Sequence, residues 1–188
     1  PFFTMTYLPK QQTILEVAER QSFERKVELV QQLLQALAYL HRHGILHHDL
    51  KPDNVLVFNN NVCLLDFGLS THIKTKHRGG GTPLYMAPEL IDGEPYTIGA
   101  DLYAVGVIFY QLLTGNHPFG AIGYEFVERV QNSEPAWFGI KREIKSLLKQ
   151  LLAKTTIKRP ESAQAALLLL ARALGRSLPE ETEASRER

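Results

Sequence analysis

The chain has 188 residues, of which 44% are hydrophobic and 22% are charged, and 21 Lys and Arg against 20 Asp and Glu give a formal net charge of +1. This length fits one domain with a sizeable core, and the composition excludes a disordered chain, a collagen-like chain and a disulfide-stapled mini-protein. The balanced charge gives no sign of a nucleic-acid or membrane-surface binder. A single cysteine, Cys63, excludes an internal disulfide, so we expect a reducing, cytoplasmic location.

The N-terminal residues 1–8 predict a strand, which Pro9 ends. Because the chain opens inside this strand and begins with Pro1, we expect a piece of a longer protein. No basic leader precedes an apolar stretch, so no signal peptide is indicated. Residues 10–20 are polar and show only a weak helical pattern.

A long helix and a hairpin are predicted next. Ser22 is a good N-cap for a helix that carries apolar residues at helical spacing and ends at Gly44. The apolar runs 55–58 and 62–65 are separated by three asparagines, which indicates a β-hairpin. Residues 66–95 show little periodicity and predict a long ordered loop.

Three further helices are predicted in the second half of the chain. The stretch 100–113 is apolar almost all round but too short for a bilayer, so we expect a helix buried in the core, with Asp101 inside it. An amphipathic helix is predicted over 141–153, and a last helix over 161–174. No internal repeat and no membrane span is indicated.

Three polar clusters surround the predicted hairpin. They read His-His-Asp-Leu-Lys-Pro-Asp-Asn at 47–54, Asp-Phe-Gly at 66–68 and Thr-Pro-Leu-Tyr-Met-Ala-Pro-Glu at 82–89. Taken singly, each could be a surface turn. Together they resemble the catalytic loop, the metal-binding Asp-Phe-Gly and the end of the activation segment of eukaryotic-type serine/threonine protein kinases. The resemblance covers residues 1–172.

The resemblance implies a fold and its divisions. We expect a mainly α, protein-kinase-like C-terminal lobe, in which a helical bundle surrounds a buried central helix, with a short β-hairpin at the active site and an N-terminal hinge strand. Residues 1–8 would be the hinge strand, residues 9–174 the large lobe, and residues 175–188 a polar, frayed tail.

The resemblance also implies catalytic roles. Asp49 would be the base that accepts or orients the substrate hydroxyl proton, and Lys51 would reach the transferring phosphate of ATP. Asn54 and Asp66 would supply oxygen ligands to Mg²⁺ and so hold the nucleotide. Thr82, together with Lys51, implies serine/threonine specificity; alternatively, Thr82 is a loop hydroxyl that makes a local turn.

Other residues are assigned by position in the family pattern. Met5 would lie behind the adenine of ATP, the backbone of Thr6 and Leu8 would bond its edge, and Leu56 would contact the ring from below; the alternative is an ordinary edge strand. Asp101 would accept hydrogen bonds from the catalytic-loop backbone. A buried ion pair is expected between Glu89 and Arg159.

Two features depart from the family pattern. The 188 residues contain no glycine-rich phosphate loop that follows a strand, and residues 79–81 (Gly-Gly-Gly) are no substitute. We therefore expect the small ATP-clamping lobe to be absent and this fragment to be inactive alone. His48 stands where most of the family has an arginine, which often pairs with a phosphorylated residue of the activation segment.

The function predicted is ATP-dependent phosphoryl transfer to Ser/Thr hydroxyls of protein substrates. The alternatives are a pseudokinase or scaffold lobe that binds a protein partner, and a related kinase of small molecules. Asp49, Asn54 and Asp66 are all present, which argues against the scaffold, and the Thr-Pro and Ala-Pro-Glu motifs argue for a protein substrate.

Overall fold

A computed structural model describes residues 11–66, 70–73 and 82–176. The predicted hinge strand with Met5, Thr6 and Leu8 lies outside these residues, as does the tail from residue 177. The helices described are α1 (Ile14–Ala18), α2 (Phe23–Arg42), α3 (Pro88–Ile91), α4 (Ile98–Thr114), α5 (Phe126–Asn132), α6 (Arg142–Leu151) and α7 (Ala163–Ala173). The strands described are β1 (Gln12–Thr13), β2 (Ile45–Leu46), β3 (Val55–Phe58), β4 (Asn61–Leu64) and β5 (Thr71–His72). The expected mainly helical fold with a small antiparallel sheet is thus confirmed.

Helix α4 is the buried centre of the fold. It extends two residues before and one residue after the predicted range, and all but a few of its side chains are buried. Gly106 lets α6 approach closely, because a Cβ there would lie 2.9 Å from the Cβ of Leu151. The helix ends at Gly115, whose φ of 74° is the left-handed conformation that glycine adopts most readily.

Helix α2 packs against both α4 and α7. The Ser22 hydroxyl accepts a hydrogen bond from the Arg25 backbone N–H and caps the helix, as the sequence predicts. Gly44 follows its C-terminus with a φ of 74°, and a Cβ there would lie 2.6 Å from the His72 ring. Glycine at this position is required by both the backbone conformation and the approach of β5.

The predicted hairpin is formed by β3 and β4, but β4 begins one residue earlier than predicted. Asn59 and Asn60 both have positive φ, 48° and 65°, so a two-residue turn suffices. Asn61 therefore joins the ladder opposite Phe58. On the other edge of β3, Thr13 pairs with Leu56, and the same threonine caps α1. The weak helical pattern of residues 10–20 thus corresponds to one short strand and one short helix.

The prediction of a single long loop over residues 66–95 was wrong in part. Strand β5 pairs antiparallel with β2, a 3-10 turn covers Pro83–Tyr85, and α3 follows it. Helix α5 was not predicted at all. Helices α6 and α7 lie within their predicted ranges but are shorter. Across the described residues, no helix has the length and apolarity needed to cross a membrane.

Candidate active site

The loop at 47–54, the predicted catalytic loop, is held in place by Asp101. This carboxylate is fully buried in α4, and it accepts hydrogen bonds from the backbone N–H groups of His47 (3.0 Å) and His48 (3.3 Å). It also accepts bonds from the Tyr96 hydroxyl (2.8 Å) and from His41 Nε2 (2.9 Å). The prediction that Asp101 binds the loop backbone is therefore confirmed. Burial raises the pKa of Asp101, but the hydrogen bonds from His41 and the loop outweigh it and hold this pKa below its ordinary value.

The sequence analysis missed two of these partners, His41 and Tyr96. His41 continues the apolar stripe of α2, four residues after Leu37, and a histidine on a buried stripe implies a polar partner in the core. Tyr96 gave no signal in the sequence. Its ring stacks on that of His48, with the ring centroids 3.9 Å apart and the planes 15° from parallel. His48 itself has a φ of 72°, so the chain turns sharply just before Asp49.

Asp49 is buried, with 9% of its side chain exposed, and three predicted catalytic side chains converge on it. Lys51 Nζ is 2.8 Å from Asp49 Oδ2, and the Thr82 hydroxyl donates to Oδ1 at 2.8 Å. Asn54 Nδ2 donates to the Asp49 carbonyl at 2.8 Å and to Oδ2 at 3.2 Å. Burial raises the pKa of Asp49, but the bonds from Lys51 and Thr82 together lower it below its ordinary value. The carboxylate is therefore ionised at neutral pH.

Asn54 and Asp66 are brought together by the end of the hairpin. The Leu65 N–H donates to the Asn54 carbonyl at 2.9 Å, and His47 Nε2 lies 3.0 Å from the Leu65 carbonyl. These bonds place Asp66, the next residue, beside the 3-10 turn Pro52–Asn54 that carries Asn54. Asp66 has a φ of 59° and is exposed.

The donor set of this pair fits Mg²⁺. Because Asn54 Nδ2 donates to Asp49, its Oδ1 is the atom left to face a cation, and Asp66 adds a carboxylate. Both are hard oxygen ligands, and Mg²⁺ keeps several waters and binds substrate phosphates beside one or two protein ligands. No cluster of three or more His, Cys, Asp or Glu suited to a metal occurs in the described parts of the chain. These side chains therefore fit a magnesium ion shared with a phosphate.

Lys51 is a cation fixed between carboxylates. The hydrogen bond to Asp49 is the main cause of its raised pKa, burial opposes it, and the charges of Asp53 and Asp66 add to the rise. The side chain is one quarter exposed. Lys51 thus carries a positive charge next to Asp49 and within the field of Asp66.

The predicted adenine contacts are only partly described. Leu56 is buried in β3 but points to the face opposite Val55 and Val57, away from the main core cluster. Its pairing partners across the sheet are Cys63 and Thr13. Since Met5, Thr6 and Leu8 are not described, the structure leaves the hinge assignment as a prediction.

The expected Glu89–Arg159 ion pair is present and bidentate. Arg159 Nη1 and Nη2 donate to the two carboxylate oxygens of Glu89 at 2.6 and 2.8 Å. The same guanidinium donates to the carbonyls of Ala153 and Gly99, and it lies over the Tyr103 ring. This pair ties α3, and with it the end of the 82–89 segment, to α4 and to the segment between α6 and α7.

Comparison with known proteins agrees with this arrangement. Residues 2–168 match the protein kinase domain family. A probable myosin light chain kinase of Dictyostelium discoideum is 35% identical over 156 residues, which cover 73% of this chain and 39% of that protein. Serine/threonine-protein kinase Pkn1 of Myxococcus xanthus is 36% identical over 172 residues, which cover 85% of this chain and 25% of that protein. Serine/threonine-protein kinase fused of Drosophila melanogaster is 41% identical over 131 residues, which cover 65% of this chain and 16% of that protein. The chain spans less than half the length of each of these relatives. It belongs to the eukaryotic-type serine/threonine protein kinase family.

Proposed function

We propose that residues 9–174 form the C-terminal, catalytic lobe of a kinase that transfers the γ-phosphoryl group of ATP to serine or threonine hydroxyls of proteins. The observation that carries this proposal is the convergence of Lys51, Asn54 and Thr82 on the Asp49 carboxylate, with all contacts at 3.2 Å or less. A surface turn with no function has no need of this arrangement.

In this function Asp49 receives the substrate. Its carboxylate accepts a hydrogen bond from the acceptor hydroxyl and takes up the proton as the phosphoryl group is transferred. Thr82 and Asn54 each bond one carboxylate oxygen and so fix its orientation. Lys51 lies on the same carboxylate and supplies positive charge beside the phosphoryl group in transfer. The chemistry needs little beyond this positioning and charge neutralisation.

The nucleotide would be bound on the other side of the same loop. Asn54 and Asp66 would hold Mg²⁺, which when bound neutralises charge on the ATP phosphates. Leu56, on the side of β3 that faces away from the core cluster, would form the floor of the adenine site. Met5, Thr6 and Leu8 remain the proposed hinge contacts.

Two finer points belong to the proposal. The isolated 188-residue chain should show negligible turnover, because its sequence carries no glycine-rich loop to clamp the phosphates. The scaffold alternative is disfavoured, because a lobe that only binds a partner has no use for a base that contacts a lysine and a potential metal ligand. The ionised state of Asp49 is likewise what catalysis requires.

The test uses the parent protein, by which we mean these 188 residues together with the expected small ATP-clamping lobe, and compares it with its variants. Incubated with Mg²⁺, labelled ATP and a generic protein substrate, the parent should produce phosphoserine and phosphothreonine, and Asp49→Asn should abolish this. Asp92→Asn is a matched control, since this exposed carboxylate at the end of α3 bonds only Gln131 among the contacts seen. Label on tyrosine alone, or equal labelling by parent and Asp49→Asn, would refute the proposal.

A further inference from the structure

His117 connects the segment beside Asp49 to the loop that precedes α5. Its Nδ1 accepts a hydrogen bond from the Phe119 N–H at 3.1 Å, and its Nε2 lies 2.7 Å from the Leu84 carbonyl oxygen. Because Nδ1 is the acceptor and a carbonyl can only accept, Nε2 must carry the proton and donate. The neutral ring thus makes two bonds that only this tautomer allows.

One side of the contact is rigid. Phe119 is buried, and its carbonyl accepts a hydrogen bond from Arg129 Nε of α5 at 2.8 Å. Lys154 Nζ lies 3.9 Å above the Phe119 ring and donates to the Val130 carbonyl at the end of α5. The loop that carries His117 is therefore fixed by both α5 and the residues that follow α6.

The other side of the contact is the segment next to the reacting groups. Leu84 lies in the 3-10 turn Pro83–Tyr85, directly after Thr82, whose hydroxyl bonds Asp49. Because Thr82 bonds Asp49, a substrate hydroxyl that reached Asp49 in the proposed reaction would lie close to this turn. The Leu84 side chain and the turn itself are partly exposed, so short backbone bonds and the His117 contact hold the turn in place.

We propose that His117 is a positioning residue for protein-substrate binding: its Nε2–H fixes the Leu84 carbonyl and so sets the position of the turn at 83–85 over which the substrate chain lies. This inference rests on the proposed function. The residue acts through Leu84 and does not touch ATP, so it sets the affinity for the protein substrate and leaves the nucleotide site unchanged.

The surroundings of the ring agree with this role. Burial lowers the pKa of His117 below its ordinary value, although the bond to the Leu84 carbonyl opposes the shift. The neutral ring therefore persists at neutral pH. The ring also packs against Phe126 of α5, with centroids 5.5 Å apart, and meets the edge of Tyr85 at 6.3 Å. These contacts hold the imidazole in the orientation that points Nε2 at Leu84.

Two variants separate the two bonds of His117. Asparagine keeps an oxygen that can accept from the Phe119 N–H two residues on, but it is too short to reach Leu84. Glutamine keeps an N–H donor at about the reach of Nε2. In the longer parent enzyme, His117→Asn should raise KM for a peptide substrate about tenfold, with kcat and KM for ATP nearly unchanged, and His117→Gln should stay close to wild type.

A second measurement needs no turnover. In the 188-residue chain, the amides of Tyr85 and Met86 bond the carbonyls of Thr82 and Pro83. Hydrogen exchange at these two amides should be faster in His117→Asn than in wild type and nearly normal in His117→Gln. Wild-type exchange in His117→Asn would overturn the positioning role regardless of any activity.

The kinetic outcomes keep the two proposals apart. A parent enzyme that phosphorylates no protein would refute the proposed function, and the exchange measurement would still decide whether His117 fixes the turn. If the parent is active but His117→Asn and His117→Gln have the same peptide KM as wild type, the inference is refuted and the proposed function stands. The same holds if both variants change kcat or the KM for ATP instead.

Discussion

Two buried carboxylates are attached to the loop at 47–54: Asp101 of α4 binds its backbone, and Asp49 belongs to the loop itself. Both accept several short hydrogen bonds, and the pKa of each is lowered although burial opposes the shift. They differ in their surroundings. The side chain of Asp101 is fully buried, and all its donors come from buried positions of the chain, whereas Asp49 bonds a lysine that is one quarter exposed. The two carboxylates therefore differ mainly in the exposure of their partners, since the Asp49 side chain is itself only 9% exposed.

The comparison extends to the groups around each carboxylate. We define the lower layer as His41, Tyr96 and Asp101, and the upper layer as Asp49, Lys51, Asn54 and Thr82. The lower layer is enclosed by α2 and α4, so a lost partner there leaves polar groups that water cannot reach. In the upper layer Asp49 and Asn54 are also buried, but Lys51 and Thr82 are partly exposed, so water can reach these two partners. The two layers should therefore respond differently to equivalent substitutions.

The largest effect is expected from Asp101→Ala. This change leaves the loop amides, the Tyr96 hydroxyl and His41 without their shared acceptor in a buried site, so unfolding should become easier by about 3–5 kcal/mol. Chemical denaturation of the 188-residue chain measures the change. If the alanine variant does not fold, Asp101→Asn retains one acceptor oxygen and should still lower the stability clearly.

A loss below about 1 kcal/mol in both Asp101 variants would contradict the assignment of the lower layer to the core. In the longer parent enzyme, the same variants should also lower turnover, because the backbone that carries Asp49 is no longer held. Turnover that remains normal while stability falls would show that the loop keeps its shape without Asp101.

Asp49→Asn should give the opposite pattern. We expect turnover of the parent enzyme to fall at least about 100-fold, since a base in the reaction typically contributes that much or more. Asparagine keeps the shape and an acceptor for Thr82, so the midpoint of unfolding should change little. Asp66→Asn should behave in the same way, because Asp66 is exposed.

Parallel kinetics and denaturation on one set of variants test this contrast between the layers. A large stability loss in Asp49→Asn would remove the distinction between them. Unchanged turnover in Asp66→Asn would instead argue against Asp66 as a metal ligand.

The stability of the fold should depend on pH through Asp101. The folded-state pKa of Asp101 lies below its ordinary value of 3.8, so its contribution to stability is complete above that value and is lost as the pH falls through the folded pKa. Wild-type stability should therefore fall more steeply below about pH 3.8 than that of Asp101→Asn. Denaturation midpoints from about pH 5 down to about pH 2.5 test this, and parallel curves would contradict the lowered pKa.

Local signals in the sequence were sufficient for the elements with strong periodicity or caps. The Ser22 cap, the Gly44 end of α2 and the apolar stretch of α4 all agree with the structure. The order of the motifs likewise predicted that Asp49 and Thr82 belong to one site, and they are hydrogen-bonded although 33 positions separate them.

What the sequence could not supply depends on contacts between distant segments. Helix α3 has only four residues, too few for a periodic pattern, and its Glu89–Arg159 ion pair was expected only from the family resemblance. Tyr96 and His117 are single polar residues in irregular segments, and their partners are set only by tertiary packing. The one-residue error at β4 arose because two asparagines, not three, form the turn.

The smallest effect is expected at His48, which lies between the two layers. Its backbone N–H bonds Asp101 and its ring stacks on Tyr96, so this residue belongs with the lower layer. An arginine at this position would carry a permanent charge beside Asp49, and a phosphate on the activation segment would balance it. A histidine is mostly neutral near pH 7.5 and has little need of that phosphate.

The parent kinase should therefore work without phosphorylation of its activation segment. Thr71→Ala and Thr75→Ala should change its rate only a few-fold near pH 7.5, and phosphatase treatment should do the same; Thr75 lies outside the described residues. The competing idea is that a phosphate would protonate His48 and so create its own partner. Rates of phosphorylated and phosphatase-treated enzyme at about pH 6.5 and about pH 8 separate the two. A loss of about tenfold or more at the higher pH, equivalent to about 1.4 kcal/mol in the barrier, would refute the prediction. A loss confined to the lower pH would favour the competing idea, since a histidine is charged more readily there.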